Sequence, residues 1–118
     1  MGNQAVRIVL IPRYTSFVGL ASGTLDYYTP PINVRGFGAV EVVVWRGASP
    51  TGTPTFKLQE STDGVTWTDK GTLDSTADDE DVTTLDPLDT EWVRVKVSAP
   101  ANGRFSCWII AQFIIREA

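Results

Sequence analysis

Short runs of β-branched residues with alternating apolar and polar positions cover most of the chain. Over residues 92–98, three valines alternate with Arg94 and Lys96, the pattern of a half-buried strand. No window shows the i, i+3, i+4, i+7 spacing of an amphipathic helix over ten or more positions. Turns rich in glycine, proline and aspartate separate the runs. The sequence therefore predicts one domain over residues 1–118, an antiparallel β-sandwich of jelly-roll or immunoglobulin-like type with about seven or eight strands. Further strands are predicted at residues 5–11, ended by Pro12, at 39–46 and at 105–116.

A hairpin signal is clearest over residues 56–69. Asp63 and Gly64 lie between two alternating runs, and Asp-Gly at such a place favours a tight turn. A loop of two or four residues would put Leu58 and Trp67 on one face, whereas a three-residue loop would put Trp67 with Gln59. Burying Leu58 with Trp67 favours the even-length loop.

Residues 12–35 are long for a connection and carry several aromatic side chains, among them Tyr27 and Tyr28. A long aromatic loop tends to be ordered by a partner or to have a function. The alternative is that it contains two short strands, such as 14–20 and 25–29. Tyr27 and Tyr28 are therefore candidates for a subunit or capsid interface.

The last strand is apolar on both faces, although a strand in a two-layer sandwich needs only one apolar face. One face is assigned to the core. A loop or the N-terminal strand could cover the second face, or that face could pack on another subunit. The second face contributes four interface candidates: Trp108, Ile110, Ile114 and Arg116.

Composition excludes several kinds of chemistry. The 118 residues include no His and one Cys, so His-based catalysis, an intrachain disulfide and a Cys-rich metal site are excluded. The net charge of −4 argues against nucleic acid as a partner, and no apolar run is long enough for a membrane helix. Because no catalytic motif is present, we expect no enzyme and no cofactor. The N-terminus lacks a secretory signal pattern, so we expect synthesis in a host cytoplasm.

Acidic residues are concentrated in one segment. Residues 74–91 hold eight of the 14 acids and no base, which leaves the rest of the chain with four more bases than acids. Such polarity suits docking between copies or on a partner of complementary charge. Calcium binding is an alternative for residues 78–81, although their spacing is not that of an EF-hand. A solvated loop is the third interpretation.

Trp92, Arg94 and Lys96 alternate onto one face of their strand, which predicts an exposed aromatic and basic surface. Exposed tryptophans on a β-sandwich could stack on sugar rings, or an aromatic beside cations could pack through cation–π contacts. Cys107 lies between Phe105 and Ile109 on the core face and is expected to behave as a small buried hydrophobe.

The hairpin over residues 56–69 resembles one that recurs in small β-sandwich virion proteins of tailed bacteriophages. The shared pattern is an aromatic-x-Leu-Gln-Glu-Ser strand, an Asp-Gly turn and a Thr-Trp strand, read here from Phe56 to Asp69. The resemblance implies a non-enzymatic capsid decoration, cement or other head accessory protein, located in the virion. It implies the major capsid protein or other virion proteins as partners, and a homo-oligomer such as a trimer. The alternative is a carbohydrate-binding module of an adhesin or tail.

Overall fold

Two antiparallel sheets form the domain in the computed structural model, which describes residues 5–115. The first sheet has the strand order β1-β9-β4-β7, and the second has β2-β8-β5-β6 with β3 also paired to β8. The strands in this described range are β1 (Ala5–Val18), β2 (Leu25–Tyr28), β3 (Ile32–Asn33), β4 (Phe37–Arg46), β5 (Thr55–Ser61), β6 (Thr68–Leu73), β7 (Asp79–Leu85), β8 (Trp92–Ala99) and β9 (Arg104–Ile115).

The connections follow a jelly roll. β2 and β3 lie end to end along β8, so they act as one interrupted strand, and the fold then has eight strands in two four-stranded sheets. The chain crosses from one sheet to the other at almost every connection, and among the strands of residues 5–115 only the β5–β6 hairpin pairs consecutive ones. The predicted antiparallel sandwich is confirmed, and of its two candidate topologies the strand order matches the jelly roll.

The core lies between the sheets and follows the predicted alternation. Val93, Val95 and Val97 of β8 are all at most 1% exposed, and the inward residues of β9 face them from the first sheet. Phe17, Phe56 and Phe105 form an aromatic cluster at one end, where two of the rings stack with centroids 5.6 Å apart. The fully buried large side chains are Phe56, Phe113, Leu58, Leu73, Ile109, Val34, Val40, Val42, Val44, Val93, Val95 and Val97.

The first strand does not end at Pro12, contrary to prediction. Its pairing with β9 shifts register between Ile11 and Thr15, and Tyr14 takes a positive φ of 61° in that bulge. Because β1 is an edge strand, a proline and an irregularity cost it few ladder bonds. Residues 12–35 are therefore not one loop: they hold the end of β1, then β2 and β3.

The predicted hairpin exists, but its loop is different. β5 and β6 are joined by residues 62–67, and a bulge interrupts their pairing after Leu58. Trp67 lies in the loop and contacts Arg94. Gln59 of β5 also contacts Arg94, whereas Leu58 is 1% exposed in the core. The prediction that Leu58 and Trp67 share a face is wrong, because the bulge and the longer loop change the phase of the returning chain.

Two candidate interaction surfaces

The outer side of the first sheet carries an apolar row that crosses all four strands. The register places Val9 beside Ile110, Ile110 beside Val43, and Val43 beside Val82. We call these four residues the outer apolar row. Val9 is 58% exposed and Val82 is 55% exposed, while Ile110 between them is 8% exposed. The row is thus apolar across the whole sheet and reaches solvent at both edges.

Polar and aromatic residues flank this row. On one side, Arg7, Gln112, Glu41 and Thr84 form a second row across the four strands. On the other side, Trp108 pairs with Trp45, and Trp45 pairs with Glu80. Arg13 of β1 lies over Trp108 and continues this row to the edge of the sheet.

The bulge in β1 covers the indole rings of this sheet. The Arg13 guanidinium lies 4.5 Å from the Trp108 ring centroid, and Tyr14 packs edge-on against Trp45 at 5.4 Å. Trp108 is consequently only 3% exposed. Of the two interpretations of the last strand's second face, cover by the N-terminal strand accounts for Trp108. The apolar side chains of this face that do reach solvent include Val9, Tyr14, Val18 and Val82, none of which was among the sequence candidates.

The predicted interface residues do not form one surface. Ile110 and Ile114 share the outer face of the first sheet, and Ile114 is half-buried between Ala5 and Ala39. Tyr27 points inward instead: its ring packs on Phe17 and its hydroxyl donates to the Val18 carbonyl oxygen at 2.8 Å. Tyr28 lies on the second sheet, and Arg116 lies outside the described residues. Sequence periodicity could not relate these positions, because they belong to different sheets.

A stacked arginine dominates the outer side of the second sheet. The Arg94 guanidinium lies 4.1 Å from the Tyr28 ring centroid and 4.4 Å from that of Trp67. Its Nε donates a hydrogen bond of 2.8 Å to Oε1 of Gln59, and Nε2 of Gln59 donates to Oδ1 of Asp69 at 3.0 Å. We call Tyr28, Arg94 and Trp67 the Arg94 stack. Two aromatic contacts and one hydrogen bond hold the guanidinium in one orientation.

Two lysines extend the basic character of this face. Lys57 and Lys96 are register partners, and each reaches a carboxylate: Lys57 lies 3.4 Å from Asp69 and Lys96 lies 3.7 Å from Asp26. The hydrogen bond from Gln59, with a smaller contribution from Lys57, lowers the pKa of Asp69 below 3.8.

Trp92, Arg94 and Lys96 lie on this same outer face, each half-buried. The turn at Gly64 packs against the Trp92 indole, so close that a Cβ added to Gly64 would lie 3.7 Å from Nε1. The surface is therefore a mixed basic and aromatic one rather than a row of bare indole rings.

The loop beside this surface is ordered by one carboxylate. Oδ1 of Asp63 accepts hydrogen bonds of 2.8 Å from the backbone N–H groups of Val65 and Thr66. These bonds favour the ionised form, which lowers the pKa of Asp63 from 3.8 to about 2. Ser61 completes the turn by accepting from the N–H of Gly64 at 2.8 Å. This Asx-type turn is why the loop holds Trp67 against Arg94.

Other candidate chemistry has no assembled site in the described part of the chain. Within residues 5–115, no three acidic, Cys or His side chains come together as a metal site. Burial raises the pKa of the Cys107 thiol to about 12, which suits the predicted inert hydrophobe. Residues 5–115 also include no helix long and apolar enough to cross a membrane.

Comparisons with known proteins give structural neighbours only. No family model and no curated protein matches the sequence. The PBSX exported protein XepA superposes with a TM-score of 0.65 at 18% identity, covering 96% of this chain and 38% of that one. This chain thus spans about two fifths of the length of XepA.

Two further structures share the fold. A Bacillus endospore appendage pilus protein gives a TM-score of 0.55 at 12% identity, covering 99% of this chain and 93% of that one. A chain of infectious bursal disease virus, Gx strain, gives 0.52 at 12% identity, covering 96% and 32%. At these identities the likeness shows the fold alone. Two carbohydrate-binding modules superpose with TM-scores of 0.46 and 0.49, which is too loose to carry an argument.

Proposed function

We propose that this protein is a non-enzymatic structural component of a tailed-phage particle, a capsid decoration or other head accessory protein that works through contacts with other protein chains. The observation that carries the proposal is the outer apolar row. Val9 and Val82 are more than half exposed at the two edges of the sheet, and Ile110 and Val43 continue the row between them. An apolar row of this kind on a regular sheet is a surface suited to docking.

The energetics of the row favour protein contact over ligand binding. Each valine that leaves water on docking contributes about 1 kcal/mol at 25 cal/mol per Å² of buried apolar surface. The depression beside Ile110, Val43 and Val82 holds about 190 Å³, less than the roughly 300 Å³ at which small-molecule pockets begin, so a partner protein surface fits it better than a small molecule does. The same fold in XepA, a PBSX exported protein, and in a bursal disease virus chain supports a particle setting.

The proposal places the protein in the virion, with the major capsid protein or another virion protein as its partner. Repeated copies on a particle gain from avidity, so each contact can be modest. A face that adds only a few kcal/mol per copy is compatible with that arrangement. The acidic β7 strand at one edge of the first sheet adds charge selectivity to the contact.

Co-sedimentation with undecorated particles of the virus that encodes the chain tests the proposal. Wild-type protein should pellet with the particles, and a double variant Val9→Lys, Val82→Lys should stay in the supernatant. The matched control is Val65→Lys, because Val65 is 79% exposed in the hairpin loop of the other sheet. Wild-type protein that remains in the supernatant at saturating particle concentration contradicts the proposal.

Carbohydrate binding is the second candidate, favoured by the Arg94 stack, in which Tyr28 is 49% exposed. It ranks below the first because the guanidinium already occupies one face of both Tyr28 and Trp67, which reduces the ring surface left for a sugar. A glycan array with wild-type protein and Tyr28→Ala tests it. Binding that the variant loses supports this function, and an array without signal eliminates it.

A further inference from the structure

Charges on the outer side of the first sheet are distributed by edge. Two basic residues, Arg7 and Arg13, lie on β1 at one edge, and a third, Arg104, lies on the adjacent strand β9. The acidic ones lie on the other half of the sheet, Glu41 on β4 and Glu80 on β7. The outer apolar row crosses the sheet from the basic edge to the acidic edge. A surface with its cations on one side and its anions on the other is complementary to a copy of itself turned by half a revolution.

Two orientations allow two copies to stack through this face about a two-fold axis. If the axis runs along the strands, between β9 and β4, β1 of one copy lies over β7 of the other. The register then places Val9 over Val82 of the second copy, and Arg13 over its Glu80.

If the axis runs across the strands, through the outer apolar row, β1 lies over β1. Arg7 of one copy then lies over Arg13 of the other, and Glu41 lies over Trp45. Like charges placed opposite one another disfavour this second arrangement.

We propose that the partner at this face is a second copy of the chain, stacked about a two-fold axis parallel to the strands between β9 and β4. The inference rests on the proposed function, since it names the occupant of the same surface.

The size of the face sets the strength of the pair. Four strands are about 19 Å wide, and three outward rows cover roughly 20 Å along them, so each copy buries roughly 400 Å². The total, about 800 Å², is below the range of stable complexes. Two sheets packed face to face also twist by about 30°, so the corners diverge while the central row stays in contact. The pair is therefore weak in solution and becomes populated at high local concentration.

Cysteine cross-linking tests the orientation. Val9→Cys and Val82→Cys are made as separate variants, mixed at about 200 µM and oxidised. Within one chain the two positions are three strand spacings apart, about 14 Å, which excludes an internal disulfide. Cys107 is fully buried and does not compete.

The proposed pair predicts a disulfide heterodimer in the mixture and at least fivefold less homodimer from either variant alone. A mixture of Val9→Cys with Val65→Cys is the control and should give no heterodimer. Homodimers of Val9→Cys as the main product would overturn the proposal in favour of the other axis. Absence of any cross-link above the control would overturn it altogether.

Charge exchange gives an independent readout. In the cross-linking background, Arg13→Glu or Glu80→Arg alone should lower the heterodimer yield about fivefold. The double exchange should restore it, because the pair of opposite charges is re-formed across the interface. Failure of the double exchange to restore the yield contradicts the orientation. Both assays use the purified chain alone, so loss of the pair with retained particle binding refutes this inference and leaves the proposed function standing.

Discussion

Ile109 and Ile110 are neighbours on β9 that face opposite sides of the first sheet, so replacing each with alanine compares the core with the outer face. Ile109 is 0% exposed between the two sheets, and Ile110 is 8% exposed in the outer apolar row. Removal of the Ile109 side chain leaves a sealed cavity, and a cost of about 4 kcal/mol is expected from the range for such sites. Removal of the Ile110 side chain leaves an open notch that water can enter.

For Ile110→Ala, only the transfer free energy of the lost carbons is expected to reduce the free energy of unfolding. At ~0.8 kcal/mol per methylene, this reduction is about 2 kcal/mol. The difference between the two variants is thus about 2 kcal/mol. With a urea dependence of about 1.3 kcal/mol per molar, the Ile109→Ala midpoint should lie about 1.5 M below that of Ile110→Ala.

Both midpoints are measured by urea unfolding with tryptophan fluorescence as the readout. The protein concentration is about 1 µM, so that self-association does not contribute. The fluorescence change should be a single transition for each variant, which justifies comparing free energies. If Ile110→Ala lowers the free energy of unfolding as much as Ile109→Ala at this concentration, the assignment of the two faces is wrong.

Four further results are expected. Asp63→Ala should destabilise the protein more than Asp63→Asn, which keeps an acceptor oxygen, in acid unfolding curves. Since the pKa of Asp63 is lowered from 3.8 to about 2, the wild-type advantage over Asp63→Asn should be present above about pH 4 and disappear as the pH falls through about 2. The Cys107 thiol, with its pKa raised to about 12, should react with a maleimide only when urea unfolds the chain, and rapid labelling of the native protein would contradict its burial. Gly19→Ala should lower the free energy of unfolding by about 2–3 kcal/mol, because a Cβ there overlaps the Pro100 carbonyl oxygen. Gly23→Ala, with open space around it, should change that free energy by no more than about 0.5 kcal/mol, and equal melting temperatures of the two variants would refute this. Arg94→Ala should cost about 1–2 kcal/mol in urea unfolding through the loss of two aromatic contacts and a hydrogen bond, and an unchanged midpoint would show that the stack contributes nothing.

Local alternation was sufficient to predict the sandwich and much of its core. In β8 the inward valines follow from a period of two, and the inward face of β9 follows in the same way. The composition of the hairpin also located a turn at Asp63 and Gly64. These features depend on residues close in sequence, so the amino-acid sequence alone is enough to predict them.

Features that depend on distant residues were missed. The cover over Trp108 comes from Arg13, about 95 positions earlier, and no periodicity relates the two. The position of Trp67 depends on a bulge in the β5–β6 pairing, which the alternation does not reveal. The outer apolar row exists only once four separate strands are aligned, so the local sequence around Val82, between Asp81 and Thr83, does not reveal it.

The most direct measurement of the central claim is the labelling rate of a cysteine placed on the outer face of the first sheet. Val82→Cys is labelled with a maleimide at about 1 µM, with and without saturating particles, and Val65→Cys serves as the control. Buried Cys107 stays silent in both variants. Particles should slow labelling at position 82 at least tenfold and leave position 65 unchanged. Equal slowing at both positions, or none at position 82 while the protein is bound, would contradict the claim that this face is the contact surface.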